Sequence, residues 1–294
     1  MACSDPLSGP RQTAFAIAYR MLGTVADAED VTQEATLRLS RQDAPVHNPE
    51  AWITTVATRL SIDALRAART RRESYSGPWL PEPLLTDPGP GPVDHAELAD
   101  TLSQALLVTL ERLTPVERAA FLLREVFDYD YPRIAEIIDR SEANARQLVV
   151  RAKKHIAATR PRFDPDGAAR EALVARFTQA VEDGDLAALE ALLAEDVVLW
   201  GDGGGQVVAA LIPVRGAAPV ARFLTFTTRR RREWEPTCTE AARVNGQPGQ
   251  IVRRADGTVY SVLALDVCGG RIAAIRIVRN PDKLDHLARP SAGR

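Results

Sequence analysis

Residues 76–94 read SGPWLPEPLLTDPGPGPVD, with six prolines and three glycines. Neither a helix interior nor a central strand tolerates that composition, because proline lacks an amide hydrogen and glycine loses the most entropy on ordering. The 294-residue chain is therefore cut into a block before this stretch and a longer part after it. Yet the stretch carries Trp79, Leu80, Leu84 and Leu85. A tether needs no tryptophan to stay dissolved, so these side chains are expected to dock on a folded surface.

Upstream, apolar residues recur at helical spacing. In RQTAFAIAYRMLG, Phe15, Tyr19 and Leu22 share a face and Gly23 stops the helix. ADAEDVTQEATLRLSR opens acidic, which suits the positive end of a helix dipole, and continues with Val31, Ala35 and Leu39. RQDAPVHNPE is a loop. A long helix follows, with Pro49 in its first turn and an expected buried face of Ile53, Val56, Ala57, Leu60 and Ala64. Between Arg59 and Arg72 stand five arginines and a single acid, Asp63.

From Glu73 to Glu111 the chain has no lysine or arginine, whereas Glu82, Asp87, Asp94, Glu97 and Asp100 are present. An acidic tether thus separates two basic blocks. In the second block, Thr114, Pro115 and Glu117 form a capping-box start. Two short helices, RIAEIID and EANARQLVVRAKKHI, are then joined by a turn at Asp139, Arg140 and Ser141. This is a helix-turn-helix pattern. Ala145, Leu148, Val149, Ala152 and Ile156 make the apolar stripe of the second helix, and Asn144, Gln147, Arg151 and Lys154 its polar face. A packed helical pair would share the apolar stripe. The charge distinguishes the two readings: six lysines and arginines against one acid between Arg140 and Arg160 favour phosphate contact.

Past Pro165 the period changes. REALVARFTQAVEDGDLAALEALLAEDV reads as two helices broken at Asp183-Gly184, and VVLWGDGGGQVVAALIPVRG as strand, glycine turn, strand. After the helix APVARFLTFTTRR, runs of β-formers are punctuated by Asn245-Gly246, Asp256-Gly257 and Gly269-Gly270, which are hairpin signals. This block is α+β, ending in a curved antiparallel sheet. Asp202, Asp266, Tyr260 and Arg222 are polar groups available to a pocket there, but no spacing marks an acid–base dyad, and His286, near the tail, is the block's only histidine. RRRR at Arg229–Arg232 reads as a solvated face or as a contact for phosphate or a partner protein.

The formal net charge is −2, which argues against tight, independent DNA binding. The three cysteines, Cys3, Cys238 and Cys268, have no CxxC spacing. That points to a reducing, cytoplasmic setting and away from a zinc site. No apolar run approaches membrane-spanning length, and MACSDPLSGPRQ has neither the basic nor the apolar region of a signal peptide. No cofactor or metal is expected.

YRMLGTVADAEDVTQEATLRL with WITTVATRLSIDALRAARTRRE resembles region 2 of extracytoplasmic-function sigma factors. LERLTPVERAAFLLREVFDYDYPRIAEIIDRSEANARQLVVRAKKH resembles region 4 of the same family, and the order is right. GPWLPEPL, DGGGQ at Asp202–Gln206 and NPDKL at Asn280–Leu284 resemble the signature of the group with a fused C-terminal SnoaL-like domain, a cystatin- or ketosteroid-isomerase-like α+β cone. The resemblance implies a multidomain protein. Region 2 would occupy 1–75, an acidic proline-rich linker 76–95, region 4 with its helix-turn-helix 96–160, and a SnoaL-like regulatory domain 165–294.

The same resemblance implies site residues and partners. Asp27, Glu29, Asp30, Gln33 and Glu34 would meet the polymerase core, whose β′ clamp and β flap are the expected contacts. His47, Asn48, Arg59, Asp63 and Arg66 would act at the −10 element, and Asn144, Arg146, Gln147, Val150, Arg151 and Lys154 at the −35 element. Trp79, Leu80, Pro81, Glu82 and Pro83 would dock on the third domain, near Asp202, Gly203, Gly204 and Gly205 or Asn280, Pro281, Asp282, Lys283 and Leu284. Two departures stand out. Thr32 and Thr36 replace an apolar and an aromatic residue, and Gln206 replaces the commoner lysine. The expected protein is a non-enzymatic sigma factor, monomeric when free, regulated in cis by its third domain, whose pocket admits a small ligand. The alternative is a one-component regulator in which the helix-turn-helix binds DNA and the third domain senses a ligand. The acidic helix favours the first, since a simple regulator does not need it.

Overall fold

The computed structural model describes residues 8–86, 102–157 and 167–288. The acidic tether residues Asp87, Asp94, Glu97 and Asp100 lie outside the described residues. The chain divides into two compact units, one of Met1–Ser74 with Leu107–Arg160 and the other of Tyr75–Leu106 with Pro161–Arg294. Both helical blocks thus fall in one unit, and the tether groups with the third block.

The helical unit begins with α1 (Ser8–Leu22), α2 (Val25–Ser40) and α3 (Pro49–Glu73). Gly23, at φ 74°, ends α1 with its amide on the Tyr19 carbonyl. Ile17, Tyr19, Met21 and Leu22 of α1 pack with Val31, Ala35 and Leu39 of α2 and Ile53 and Ala57 of α3, all buried. The buried face of α3 is rotated from the expected one. Val56, Leu60 and Ala64 are half-buried, while Thr54, Thr58 and Ser61 are buried. Thr54 and Ser61 donate to the carbonyls of Glu50 and Ala57, at 2.8 and 2.7 Å. This back-bonding lets a hydroxyl enter a core that an apolarity pattern would deny it. Thr32 does the same in α2, donating to the Ala28 carbonyl at 2.7 Å.

The second helical block contributes α5 (Pro115–Glu125), α6 (Tyr131–Ile138) and α7 (Glu142–Ala157); α4 (Gln104–Leu110) spans the division between the units. Thr114 and Glu117 form the reciprocal capping box of α5. Asp139 ends α6 in the left-handed region at φ 52°, which aspartate tolerates better than most residues. Ala145, Leu148, Val149, Ala152 and Ile156 are the buried stripe of α7.

Arginines join the two helical blocks. Arg118, 1% exposed, donates twice to the Arg20 carbonyl, at 3.1 and 2.9 Å, and pairs with Glu111 at 2.5 Å. Arg133 donates to the Ala51 carbonyl and the Thr55 hydroxyl. Arg59 donates to the carbonyls of Ile137 and Glu136, both at 2.9 Å, at the C-terminal end of α6, where a helix presents unpaired carbonyls and partial negative charge. Arg20 is itself buried, which pushes its guanidinium down to about 10.

The second unit holds α8 (Gly167–Asp183), α9 (Leu186–Leu192) and α10 (Ala217–Trp234) against a six-stranded sheet. The strands are β1 (Leu193–Asp202), β2 (Val214–Arg215), β3 (Thr237–Val244), β4 (Gln247–Arg254), β5 (Val259–Cys268) and β6 (Arg271–Val278), in the order β2-β1-β6-β5-β4-β3. β1 and β6 run parallel and the other neighbours antiparallel. Phe177, Leu189, Val220 and Leu224 of the helices pack on Leu199, Val252, Leu265 and Ile275 of the sheet. The three expected turns join β3 to β4, β4 to β5 and β5 to β6. The second strand after the glycine turn is far shorter than the sequence suggests. Val208, Leu211 and Ile212 lie outside it, largely exposed. Their β-propensity is not realised: among the described residues no strand pairs with them.

Removing Arg118 leaves the Arg20 carbonyl and Glu111 without their buried donor. Arg118→Met is expected to lose about 3 kcal/mol, measured on the full chain by urea unfolding followed through the helical circular dichroism signal.

Candidate functional site

On α7, Gln147, Val150, Arg151 and Lys154 are exposed and Asn144 is half-buried. Val150 is 64% exposed, an apolar side chain held out between polar neighbours. Arg146 pairs with Glu142 at 2.6 Å and lies 4.2 Å over the Tyr131 ring. Arg151 sits 3.6 Å from Glu117. Both guanidiniums are thus steered by neighbours but remain exposed.

On α2, Glu29, Asp30 and Gln33 are exposed. Asp27 accepts from the Thr24 hydroxyl at 2.5 Å, and Glu34 pairs with Arg38 at 2.7 Å. Thr36 turns its hydroxyl to the Thr32 carbonyl, so the two departures in this helix leave its acidic surface in place. His47 is exposed in the loop before α3, where Asn48 accepts the Ala51 amide and caps the helix. Asp63 and Arg66 form an exposed pair at 3.0 Å. Arg59 stands apart from them, engaged with α6.

In the second unit, Asp202, 0% exposed, ends β1. Its Oδ2 accepts the Leu80 amide at 2.8 Å and the Lys283 ammonium at 2.7 Å. Its Oδ1 accepts the Tyr75 hydroxyl at 2.5 Å and the Gly204 amide at 3.1 Å. Lys283 also donates to the Leu80 carbonyl at 2.6 Å, and its nitrogen lies 4.2 Å from the Trp79 ring centre and 4.8 Å from that of Tyr75. A buried ammonium between two aromatic faces gains cation–π stabilisation in addition to its ion pair. Leu80 is 1% exposed, and Pro81, Glu82 and Pro83 are buried.

The glycine turn closes this clamp. Gly204 is at φ 62°, and a Cβ there would stand 2.4 Å from the Asn280 amide. Asn280 donates to the Tyr75 oxygen at 2.9 Å and accepts the Asp282 amide at 3.2 Å. Gln206 donates to Asp282 at 2.6 Å, so a neutral amide spans the turn and the NPDKL segment where a lysine would form an ion pair.

The tether continues as an added edge. His286 Nε2 lies 2.9 Å from the Pro83 carbonyl. Leu84 exchanges hydrogen bonds with Asn245, Leu85 bridges Val244, and Thr86 donates its amide to Arg243. Tyr75, Arg243, Asn245 and His286 were not expected in this role. Tyr75 reads as the end of the preceding block and Asn245 as a turn residue. Of the groups proposed for a pocket, Tyr260 lines the cavity between α8, α10 and the sheet, and Asp202, Asp266 and Arg222 do not. Asp266 is instead buried against Arg276 at 2.6 Å, and Asp202 belongs to the clamp.

Residues 11–71 match the Sigma-70 region 2 family, and residues 103–156 match Sigma-70, region 4. The chain is 39% identical over 282 residues to the ECF RNA polymerase sigma factor SigJ of Mycobacterium tuberculosis (strain ATCC 25618 / H37Rv), covering 93% of this chain and 90% of that one. It is 32% identical to a probable ECF RNA polymerase sigma factor, SigI, of the same species (strain CDC 1551 / Oshkosh), over 98% of each. The crystal structure of M. tuberculosis SigJ overlays with a TM-score of 0.76 at 34% identity, covering 96% of this chain and 98% of that one. The chain belongs to the extracytoplasmic-function RNA polymerase sigma factors.

Burial and the Asp202 hydrogen bond raise the Tyr75 phenol above its ordinary value. A raised phenol favours the folded state below the unfolded pKa of about 10, and that contribution is lost as pH rises past it. Tyr75→Phe is expected to cost about 2 kcal/mol at neutral pH. The difference from wild type should shrink above pH ~10, as thermal unfolding across alkaline pH will show.

Proposed function

We infer that this sigma factor is regulated in cis through the clamp on its tether. The observation that carries the reading is the buried Asp202, which gathers Tyr75, Leu80 and Lys283 at one carboxylate. The tether is the only covalent path from region 2 to region 4. A third domain that fixes residues 75–86 therefore governs how those regions can separate. In this reading Asp27, Glu29, Asp30, Gln33 and Glu34 meet the core polymerase at its β′ clamp, and region 4 meets the β flap. His47, Asn48, Arg59, Asp63 and Arg66 serve the −10 element. Asn144, Arg146, Gln147, Val150, Arg151 and Lys154 serve the −35 element. Arg59 is held by α6 here, which supports a closed free form that opens on the polymerase. The cavity between α8, α10 and the sheet is lined by Glu182 and Tyr260 but by no histidine or aspartate, so no acid–base pair of carboxylate and imidazole stands in it.

Asp202→Asn keeps the size of the side chain but removes its charge from Lys283. In run-off transcription with purified core enzyme it is expected to change transcript yield by about fivefold or more. A yield equal to wild type would remove the clamp from regulation. Arg151→Ala, whose surface pair with Glu117 adds little stability, is expected to weaken holoenzyme affinity for its promoter by about 1–3 kcal/mol. Equal loss on all sequences would identify a phosphate contact instead.

A further inference from the structure

The second unit encloses a cavity of about 280 Å³ between α8, α10 and the sheet. Its walls are apolar over Leu199, Phe223, Val252 and Leu263. The polar pair Gln250 and Thr178 bond to each other. One end differs. The Arg231 and Arg279 guanidiniums lie over the same Tyr260 ring, at 5.8 and 4.3 Å. The Nε of each is buried and has no hydrogen-bond partner among the described residues. Arg279 donates from its outer nitrogen to the Val208 carbonyl. Arg254, also over the ring at 5.2 Å, is paired with Glu235. Neither Arg231 nor Arg279 has an ion-pair partner among the described residues. Burial lowers the Arg231 guanidinium below its ordinary value; Tyr260 and Glu182, the latter at the cavity wall, favour its charge, whereas Arg232 and Arg279 oppose it. Two half-buried cations on one ring, each with a buried and unused Nε, gain a partner when an anion meets them beside the apolar walls.

We propose that this cavity binds a small organic anion, a carboxylate on an apolar body, with the carboxylate on Arg231 and Arg279 and the body against Leu199, Phe223, Val252 and Leu263. The lining holds no histidine, cysteine or aspartate, and its one carboxylate, Glu182, stands beside Arg231, so binding is the role proposed for the site. The position also gives binding a consequence, which rests on the regulatory reading above. The backbone amides of Arg279 and Asn280 both donate to the Asp202 carbonyl, at 2.7 and 3.0 Å. A ligand that draws on the Arg279 side chain thereby acts one residue from the clamp.

The test is calorimetric titration of the full chain with octanoate and 2-naphthoate, against octanamide, 2-naphthamide and inorganic phosphate. The acids should bind at least about tenfold more tightly than the amides or phosphate. Arg231→Gln should remove that preference and leave amide binding unchanged, with circular dichroism verifying its fold. Arg279→Lys, which keeps the charge but loses the planar fork, should weaken the acids alone. Equal binding of acid and amide, an unchanged preference in Arg231→Gln, or no binding of either acid at about 10 mM would overturn the site. Phosphate binding as tightly as the acids would overturn the apolar component. Hydrogen exchange at the Leu80 amide should change when octanoate saturates the protein. Unchanged exchange would overturn the link to the clamp while leaving the binding result standing, and the run-off assay with Asp202→Asn tests the regulatory reading separately.

Discussion

A carboxylate removed from water has to be fully satisfied by the protein, and Asp202 meets that requirement with four donors drawn from separated parts of the chain. Most of the second unit's functional geometry follows from this. The carboxylate needs a cation, so Lys283 is buried with it. The cation needs further partners, so the Leu80 carbonyl and the Trp79 and Tyr75 rings surround it. The turn after β1 has to bring an amide back onto Oδ1, which requires a left-handed residue with no side chain at Gly204. Loss of one member strands the others, and buried charges make that loss severe.

The helical unit uses arginine differently. Arg118, Arg133 and Arg59 each donate across the two blocks to backbone carbonyls. Contacts of this type depend on helix position and little on the identity of the residue that supplies the carbonyl. They are strong enough to order the pair of blocks, yet Arg59 and Arg133 keep access to water, which lowers the cost of parting them. Under the roles proposed for region 2, Arg59 has to leave α6 before it can reach DNA.

Local chemistry made much of the fold legible. The capping box at Thr114, the left-handed Asp139 and the Asn245-Gly246 turn are each written within four residues, and the stripe of α7 within sixteen. The buried face of α3 was misjudged because Thr54 and Ser61 hide their hydroxyls on their own helix, which no apolarity pattern registers. The length of β2 was misjudged because Val208 and Ile212 have strand-forming side chains but no strand beside them. In the clamp, the segments were recognisable while the pairing was not. That Trp79 meets Lys283, and that Tyr75 and His286 take part, depends on contacts between residues more than 120 positions apart. Arg231 reads as part of a charged surface run until Tyr260 and Arg279 are seen beside it.

The Leu80 amide and the Asp202 carboxylate are 122 residues apart on one polypeptide. Their encounter is therefore first-order, and its equilibrium is indifferent to how many copies of the protein a cell makes. A separate regulator can be outnumbered by its target, but this clamp is always present at one per molecule. Under the regulatory reading proposed above, raising expression multiplies the open and closed forms alike. Only something that discriminates between the two forms, by binding one better than the other, can alter their ratio.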